Sequence, residues 1–170
     1  MAARGVRRGV VFVDEIDFHT YLRLLSRAIR LDRWAVQAYC LMPNHVHLLV
    51  RLREATLSRG MHRLHGTYAR RFNERHGLVG HVFEARFSST LIASEAHHFE
   101  TLRYVPLNPI RGGLCEEPED WPWSSHLAVA GLSRVHSIVA VDEVRELFGG
   151  QRDGARRYRL FVADGRRAAA

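Results

Sequence analysis

Hydrophobic and polar positions along this chain change period several times, and each change marks an element. Gly9 to Val13 (GVVFV) is a short apolar run and predicts a strand. Asp14 or Asp17 then stands where a helix N-cap belongs. Phe18, Tyr21, Leu22, Leu25, Ala28 and Ile29 follow at helical spacing, to about Arg30. Trp34 to Leu52 is rich in Val, Leu and aromatic residues and predicts two strand segments around Met42-Pro43-Asn44. Pro43 has no N–H to give a ladder, so a bend or bulge belongs there. From Leu57 to His76 a helix is expected: Leu57, Met61, Leu64, Tyr68 and Phe72 share one face, Arg59, Arg63, Arg70, Arg71 and Arg75 take the rest, and Gly77 suits the C′ position. His81 to Leu91 alternates behind Gly80 and predicts another strand. Ser94 can cap a third helix through Leu102 to Tyr104, which Pro106 and Pro109 should kink or end. From about Asp142, two short helices separated by Gly149 and Gly150 are expected, the second carrying Arg156, Arg157 and Arg159. Few, short strands favour an α+β fold, an antiparallel sheet with helices packed on one face, over a doubly wound parallel sheet.

Composition narrows the class. A length of 170 residues suits one domain with a single core, and 46% apolar with 25% charged residues is an ordinary globular balance. No apolar run approaches the ~18 residues of a membrane span. Met1 to Val10 carries Arg4, Arg7 and Arg8 without an apolar stretch or cleavage site, so it does not read as a secretory signal. Cys40 and Cys115 lack CxxC spacing, which argues against a disulfide scaffold or a cysteine zinc site; free thiols in a reducing cytoplasm are expected. The 25 basic residues are all Arg and outnumber 18 acidic ones, for a net charge of +7. A polyanion is the natural partner of such a surface, because Arg grips phosphate in a planar fork. The same surplus also serves simply to keep a surface solvated, and it supplies no chemistry.

Candidate chemistry concentrates in Cys40 to Val50 (CLMPNHVHLLV). Side chains alternate along a strand, so His45 and His47 point one way while Val46 and Leu48 point the other. Their Cα atoms should lie roughly 6.5–7 Å apart, close enough for both imidazoles to reach one divalent ion. Two surface histidines on the polar side of a half-exposed strand would give the same pattern. A dinuclear metallohydrolase would place Asp and His directly after the pair, where Leu48, Leu49 and Val50 stand. A barrel oxygenase would want a nearer carboxylate than Glu54.

The run Tyr39 to Val50 (YCLMPNHVHLLV) resembles the HUH motif, His-hydrophobic-His, of single-tyrosine transposases, and most of all the branch called REP-associated tyrosine transposases. The resemblance continues through Gly66 to His76 (GTYARRFNERH), Gly80 to Phe87 (GHVFEARF), Arg103 to Leu114 (RYVPLNPIRGGL), Asp120 to Ser125 (DWPWSS) and the tail around Arg156 to Val162. It thus covers nearly the whole chain, in the expected order.

This resemblance implies a ferredoxin-like domain over residues 1–130 and a small, basic helical extension over 131–170. It implies a single-strand DNA endonuclease and strand transferase in which Tyr104 attacks a phosphodiester of hairpin-bearing DNA, forming a 5′-phosphotyrosine link. His45 and His47 would hold Mg²⁺ or Mn²⁺, with Asn108 at the third ligand position. Ligand softness alone would send two imidazoles to zinc or iron, but phosphate and water oxygens would complete the sphere of the harder ions. Tyr104 and Asn108, four residues apart, share a helix face. Arg70, Arg71, Arg75, Arg86 and Arg111 are the expected phosphate contacts. Trp121 and Trp123 could stack on bases, but around Pro122 they are expected rather to pin the chain to the core. His62, His65, His97 and His98 are expected to be surface or packing residues, while His76 and His81 flank a loop that could contact DNA. Partners would be single-stranded hairpin DNA and no membrane, with the protein a monomer or homodimer. Family members usually begin with a further strand beside the HUH strand. Here the chain starts at what reads as the turn after it (Arg4-Gly5-Val6-Arg7-Arg8), which implies an uncovered sheet edge. Two rivals stand beside this reading: a non-catalytic nucleic-acid-binding relative, and an unrelated HxH metalloenzyme acting on small molecules.

Overall fold

The computed structural model describes residues 1–133 and 138–167. Its centre is a three-stranded antiparallel sheet in the order β1-β3-β2, with β1 at Ala2–Arg4, β2 at Trp34–Met42 and β3 at His45–Leu52. β2 and β3 form a hairpin about Pro43 and Asn44, with Met42 opposite His45 and Cys40 opposite His47; the register shifts once, between Val36 and Ala38. Cross-strand partners share a face. Leu41, Val46, Tyr39 and Leu48 therefore lie on one side, and Met42, His45, Cys40 and His47 on the other.

Helix α1 spans Glu15–Asp32, and Asp14 is its cap: Oδ1 accepts from the Ile16 and Asp17 amides. Helix α2 spans Leu57–His76 and ends, as expected, on Gly77 in the left-handed region (φ 64°). The two pack together against the Val46/Leu48 side, where Trp34 abuts Gly60 so closely that a Cβ there would lie 2.3 Å from the ring. Trp34 Nε1 donates to Thr56 Oγ1 at 3.0 Å, and Thr56 Oγ1 donates to the Asp32 carbonyl at 3.1 Å. Arg63 and Arg59 hold the buried Asp32 carboxylate. Helix α3, Glu95–Arg111, is capped by Ser94 and lies on the opposite face, where His98 meets Gln37 at 2.8 Å. The α+β class, the HUH motif on a strand and the tyrosine on a helix are as anticipated. Helical cover extends to the second face through α3.

Four local expectations are corrected. Gly9–Val13 is not a strand: Val11 and Phe12 are buried, but their amides bond the Pro43 carbonyl at the hairpin tip, at 2.7 and 3.1 Å. The strand beside β3 comes instead from Ala2–Arg4, placed by the sequence reading in or before a turn, and it covers the edge over His45–His47. His81–Leu91 is an extended segment with isolated bridges to Ala2 and Gly5, through Ser88 and Phe83, and forms no continuous ladder. Helix α3 runs through Pro106 and Pro109 without ending. Asn108 explains part of that continuity. Pro109 leaves the Val105 carbonyl without its i+4 donor, and Asn108 Nδ2 reaches that carbonyl at 3.3 Å and the Tyr104 carbonyl at 2.8 Å.

The far edge of the sheet, on β2, is closed by Trp121–Ser125. The Leu41 amide donates to the Trp123 carbonyl, Trp121 Nε1 donates to the Leu41 carbonyl, and Trp123 stacks on Phe18 at 4.4 Å, so both tryptophans pin the chain as expected. Short helix α4 (His126–Val129), α5 (Val141–Glu146) and the long α6 (Gly150–Arg167) follow. Residues 134–137 and 168–170 of the expected extension lie outside the described residues. Its helices share the main core: Val141, Val144, Tyr158 and Val162 are buried with it, and Phe161 packs on Phe99 of α3 at 5.8 Å.

Ser125 is the clearest single-residue dependence of this closure. Its Oγ accepts from the buried Tyr39 amide at 3.0 Å. Ser125→Ala leaves that amide unpaired and should cost about 1–3 kcal/mol of unfolding free energy, read as a lowered urea midpoint with unchanged slope.

Candidate active site

β3 delivers two imidazoles to one face because Val46 (0% exposed) and Leu48 (1%) belong to the core on the other. The His45 and His47 ring centroids lie 4.8 Å apart, with the planes nearly perpendicular at 88°. Asn44 Oδ1 lies 2.6 Å from His45 Nδ1. Read as the acceptor, it assigns the proton to Nδ1 and leaves the Nε2 lone pair free, as in metal-bound histidines. Both rings are held neutral at pH 7. Burial pushes the His47 pKa down to about 4, with help from His45 and Arg4, and burial followed by the Arg4 charge lowers that of His45.

Helix α3 brings Tyr104 to the pair. Its ring centroid is 5.6 Å from that of His47, at 85°, and the residue is 41% exposed while Val105 to Pro109 behind it are buried. Two turns on, the Arg111 guanidinium sits over the Tyr104 ring at 4.8 Å from the centroid, a cation–π contact of about 0.5–1 kcal/mol at an exposed site. A phenol, two neutral imidazoles and a guanidinium thus converge from two elements of the fold.

Two neutral imidazoles on a stiff strand suit a divalent ion that completes its coordination with oxygens. Among the described residues, no group of three or more His, Cys, Asp or Glu is placed to hold a metal, so further donors would be amide, water or substrate oxygens. Asn108 fits that description: its Nδ2 is committed to α3 carbonyls, while its Oδ1 has no hydrogen-bond partner among the described residues.

Other expected residues fall elsewhere. Arg70, Arg71 and Arg75 lie on α2, across the sheet from the imidazoles, and Arg70 lies 4.0 Å from Glu74. Arg75, expected to face phosphate, instead grips Asp14 and, at 2.7 Å, Asp17, while His76 also bonds Asp17 at 2.9 Å; the cluster ties the end of α2 to the start of α1. Arg86 is exposed on the segment beside β1, and Arg111 alone of the five touches Tyr104. His65 is a packing residue, bonded to the Tyr21 hydroxyl at 3.1 Å and stacked on Phe83 at 4.2 Å. Arg4 was missed: register places it opposite His45, but a three-residue strand is too short to announce itself by alternation.

The chain belongs to the family described as IS200-like transposases, whose model matches residues 3–106, a span that includes His45, His47 and Tyr104 and stops short of Asn108. It is similar to a Haemophilus influenzae protein named "Putative REP-associated tyrosine transposase", at 30% identity over 99 residues, 52% of this chain. The match spans 56% of that relative's length. The fold is similar to that of a solved structure described as "Structure of the REP associates tyrosine transposase bound to a REP hairpin", with a TM-score of 0.63 over 79% of this chain and 80% of that one, at 19% identity. No helix among the described residues is long and apolar enough to cross a membrane.

His65 has its pKa lowered to about 4 by burial, so the unfolded chain, with a histidine near 6.5, binds its proton first. Its share of stability is present above about pH 6.5 and is lost as the pH falls toward 4. The thermal midpoint should therefore drop between pH 7 and pH 5, and less steeply in His65→Gln. Asn108→Asp keeps a side-chain oxygen and loses the donor to Val105. It should lower unfolding free energy by about 1–3 kcal/mol without weakening Mn²⁺ binding in a titration followed by paramagnetic resonance; Asn108→Ala should lose both.

Proposed function

We propose that this protein is a metal-dependent single-strand DNA endonuclease and strand transferase, acting on hairpin-bearing DNA through a 5′-phosphotyrosine link. The observation that carries the reading is the approach of the Tyr104 ring to His47, which puts an exposed hydroxyl-bearing side chain beside two neutral imidazoles. Family membership and the relatives' names supply the substrate class. The basic composition supports a phosphate-rich partner.

In this reaction the Tyr104 oxygen bonds to phosphorus as the P–O3′ bond breaks. The 5′ phosphate stays on the enzyme, and the departing 3′ oxygen takes up a proton as the phenol gives one up. Rejoining is the reverse, with a 3′-hydroxyl as nucleophile and Tyr104 as leaving group. His45 and His47, with the Asn108 oxygen, would hold a Mg²⁺ or Mn²⁺ ion, which would neutralise charge on the phosphate and favour the phenolate form of a weak nucleophile. Arg111 supports the site differently: a cation over the phenol ring restrains its orientation and can donate to a phosphate oxygen. The Val46/Leu48 core keeps the imidazole platform from shifting.

Incubation with labelled single-stranded hairpin oligonucleotides and Mn²⁺ should give a denaturation-resistant protein–DNA band. Tyr104→Phe should abolish that band while hairpin binding stays within about twofold, and His45→Ala or His47→Ala should reduce cleavage at least ~10²-fold. A band that persists in Tyr104→Phe would overturn the assignment. Hairpin binding by folded wild-type protein with no band in any divalent ion would leave a DNA-binding protein without this chemistry.

A further inference from the structure

We propose that Arg4 is a substrate-contacting residue of the cleavage site, its guanidinium gripping a non-bridging oxygen of the scissile phosphate beside His45 and His47. The inference rests on the nuclease reading above and adds a residue to it. Register carries the argument. Arg4 is the direct cross-strand partner of His45, and Ala2 that of His47, while Ala3, buried at 5%, pairs with Val46 on the core side. Arg4 therefore shares the imidazole face. Its backbone is held on both sides: the Glu84 amide donates to the Arg4 carbonyl at 2.9 Å, and the next residue, Gly5, donates to the Asn44 carbonyl at 2.8 Å.

Charge gives the second argument. Arg4 is exposed and makes no ion pair among the described residues, unlike Arg63 and Arg75, which are neutralised by Asp32, Asp14 and Asp17. A free cation directly across a strand pair from imidazoles that would receive a divalent ion is an arrangement of like charges, and like charges directly opposite each other are destabilising. An anion held between them reverses the sign. A phosphodiester supplies that anion, and the guanidinium fork matches two of its oxygens. Arg4 would thus couple loading of the imidazole pair to arrival of the strand, repelling the ion when the site is empty of DNA.

The test compares wild type, Arg4→Ala and Arg4→Lys, each first checked for an unchanged thermal midpoint. Binding to a single-stranded hairpin oligonucleotide in EDTA is followed against salt, cleavage with Mn²⁺ in single turnover, and Mn²⁺ affinity without DNA by paramagnetic resonance. Arg4→Ala should lower the salt slope by about one phosphate contact and slow cleavage by about 10²-fold, while Mn²⁺ affinity without DNA stays equal or rises. Arg4→Lys should restore the slope but not the full rate. Unchanged slope and rate in Arg4→Ala, with a wild-type adduct present, would overturn this inference alone. A fall in DNA-free Mn²⁺ affinity would also overturn it, by making Arg4 a prop for the strand. Absence of any wild-type adduct would overturn the nuclease reading and this inference with it.

Discussion

The alternation of β3 is the constraint on which the rest depends. Val46 and Leu48 are sealed in the core while His45 and His47 face the opposite way. Slipping the strand by one residue would exchange the two sets. Such a slip would forfeit about 1.5–3 kcal/mol for each exposed aliphatic side chain and force imidazoles into the space they left. The packing energy of one face thereby fixes the chemistry of the other. Both neighbours enforce the same register: β1 pairs Ala3 with Val46, β2 pairs Leu41 with Val46, and both β2 edge and β1 edge are tied off by backbone bonds from Trp121–Ser125 and His81–Leu91.

Helix α3 brings the Tyr104 ring to that platform, 5.6 Å from the His47 ring. Two prolines within its last two turns deprive it of backbone donors, yet Leu102, Val105 and Leu107 are buried and keep the helix on the sheet. Asn108 repairs the loss locally with its amide and keeps its oxygen in reserve. An apolar residue in its place would leave the Val105 carbonyl without a donor and remove the one uncommitted amide oxygen that Asn108 carries. That repair accounts for a buried amide at a position where a leucine would pack better.

Periodicity made much of this legible. The bounds of α2, the Ser94 cap and the two faces of the HUH strand all follow from spacing, because each element has enough residues for its period to repeat. Failures cluster where it does not repeat or where tertiary bonds override it. Gly9–Val13 is apolar because Val11 and Phe12 plug the core, yet the amides of those two residues go to one carbonyl, that of Pro43, so no ladder forms. His81–Leu91 alternates but bonds β1 at isolated points. Pro106 and Pro109 read as a stop because the sequence shows the missing donors and conceals the core contacts that outweigh them. The sequence also shows nothing of who neutralises whom: Asp14 and Asp17 lie about sixty residues from Arg75, as flagged by the chain numbering itself.

A surplus of +7 invites the inference that arginines in a promising segment face phosphate. Several on α2 and β3 carry out structural work instead. Arg63 and Arg59 compensate a carboxylate buried at the end of α1, Arg75 locks its beginning, and Arg51 is paired with Glu143 at 2.5 Å. Every such pair removes a cation from the protein's field, so net charge overstates the positive potential near those residues and says nothing of where the remainder lies. Around Tyr104 the opposite holds. Arg111 rests on the Tyr104 ring and Arg4 stands opposite His45, and neither makes an ion pair among the described residues. Around the candidate site, the two guanidiniums left without a carboxylate are held in place by regular structure, Arg4 on β1 and Arg111 at the end of α3.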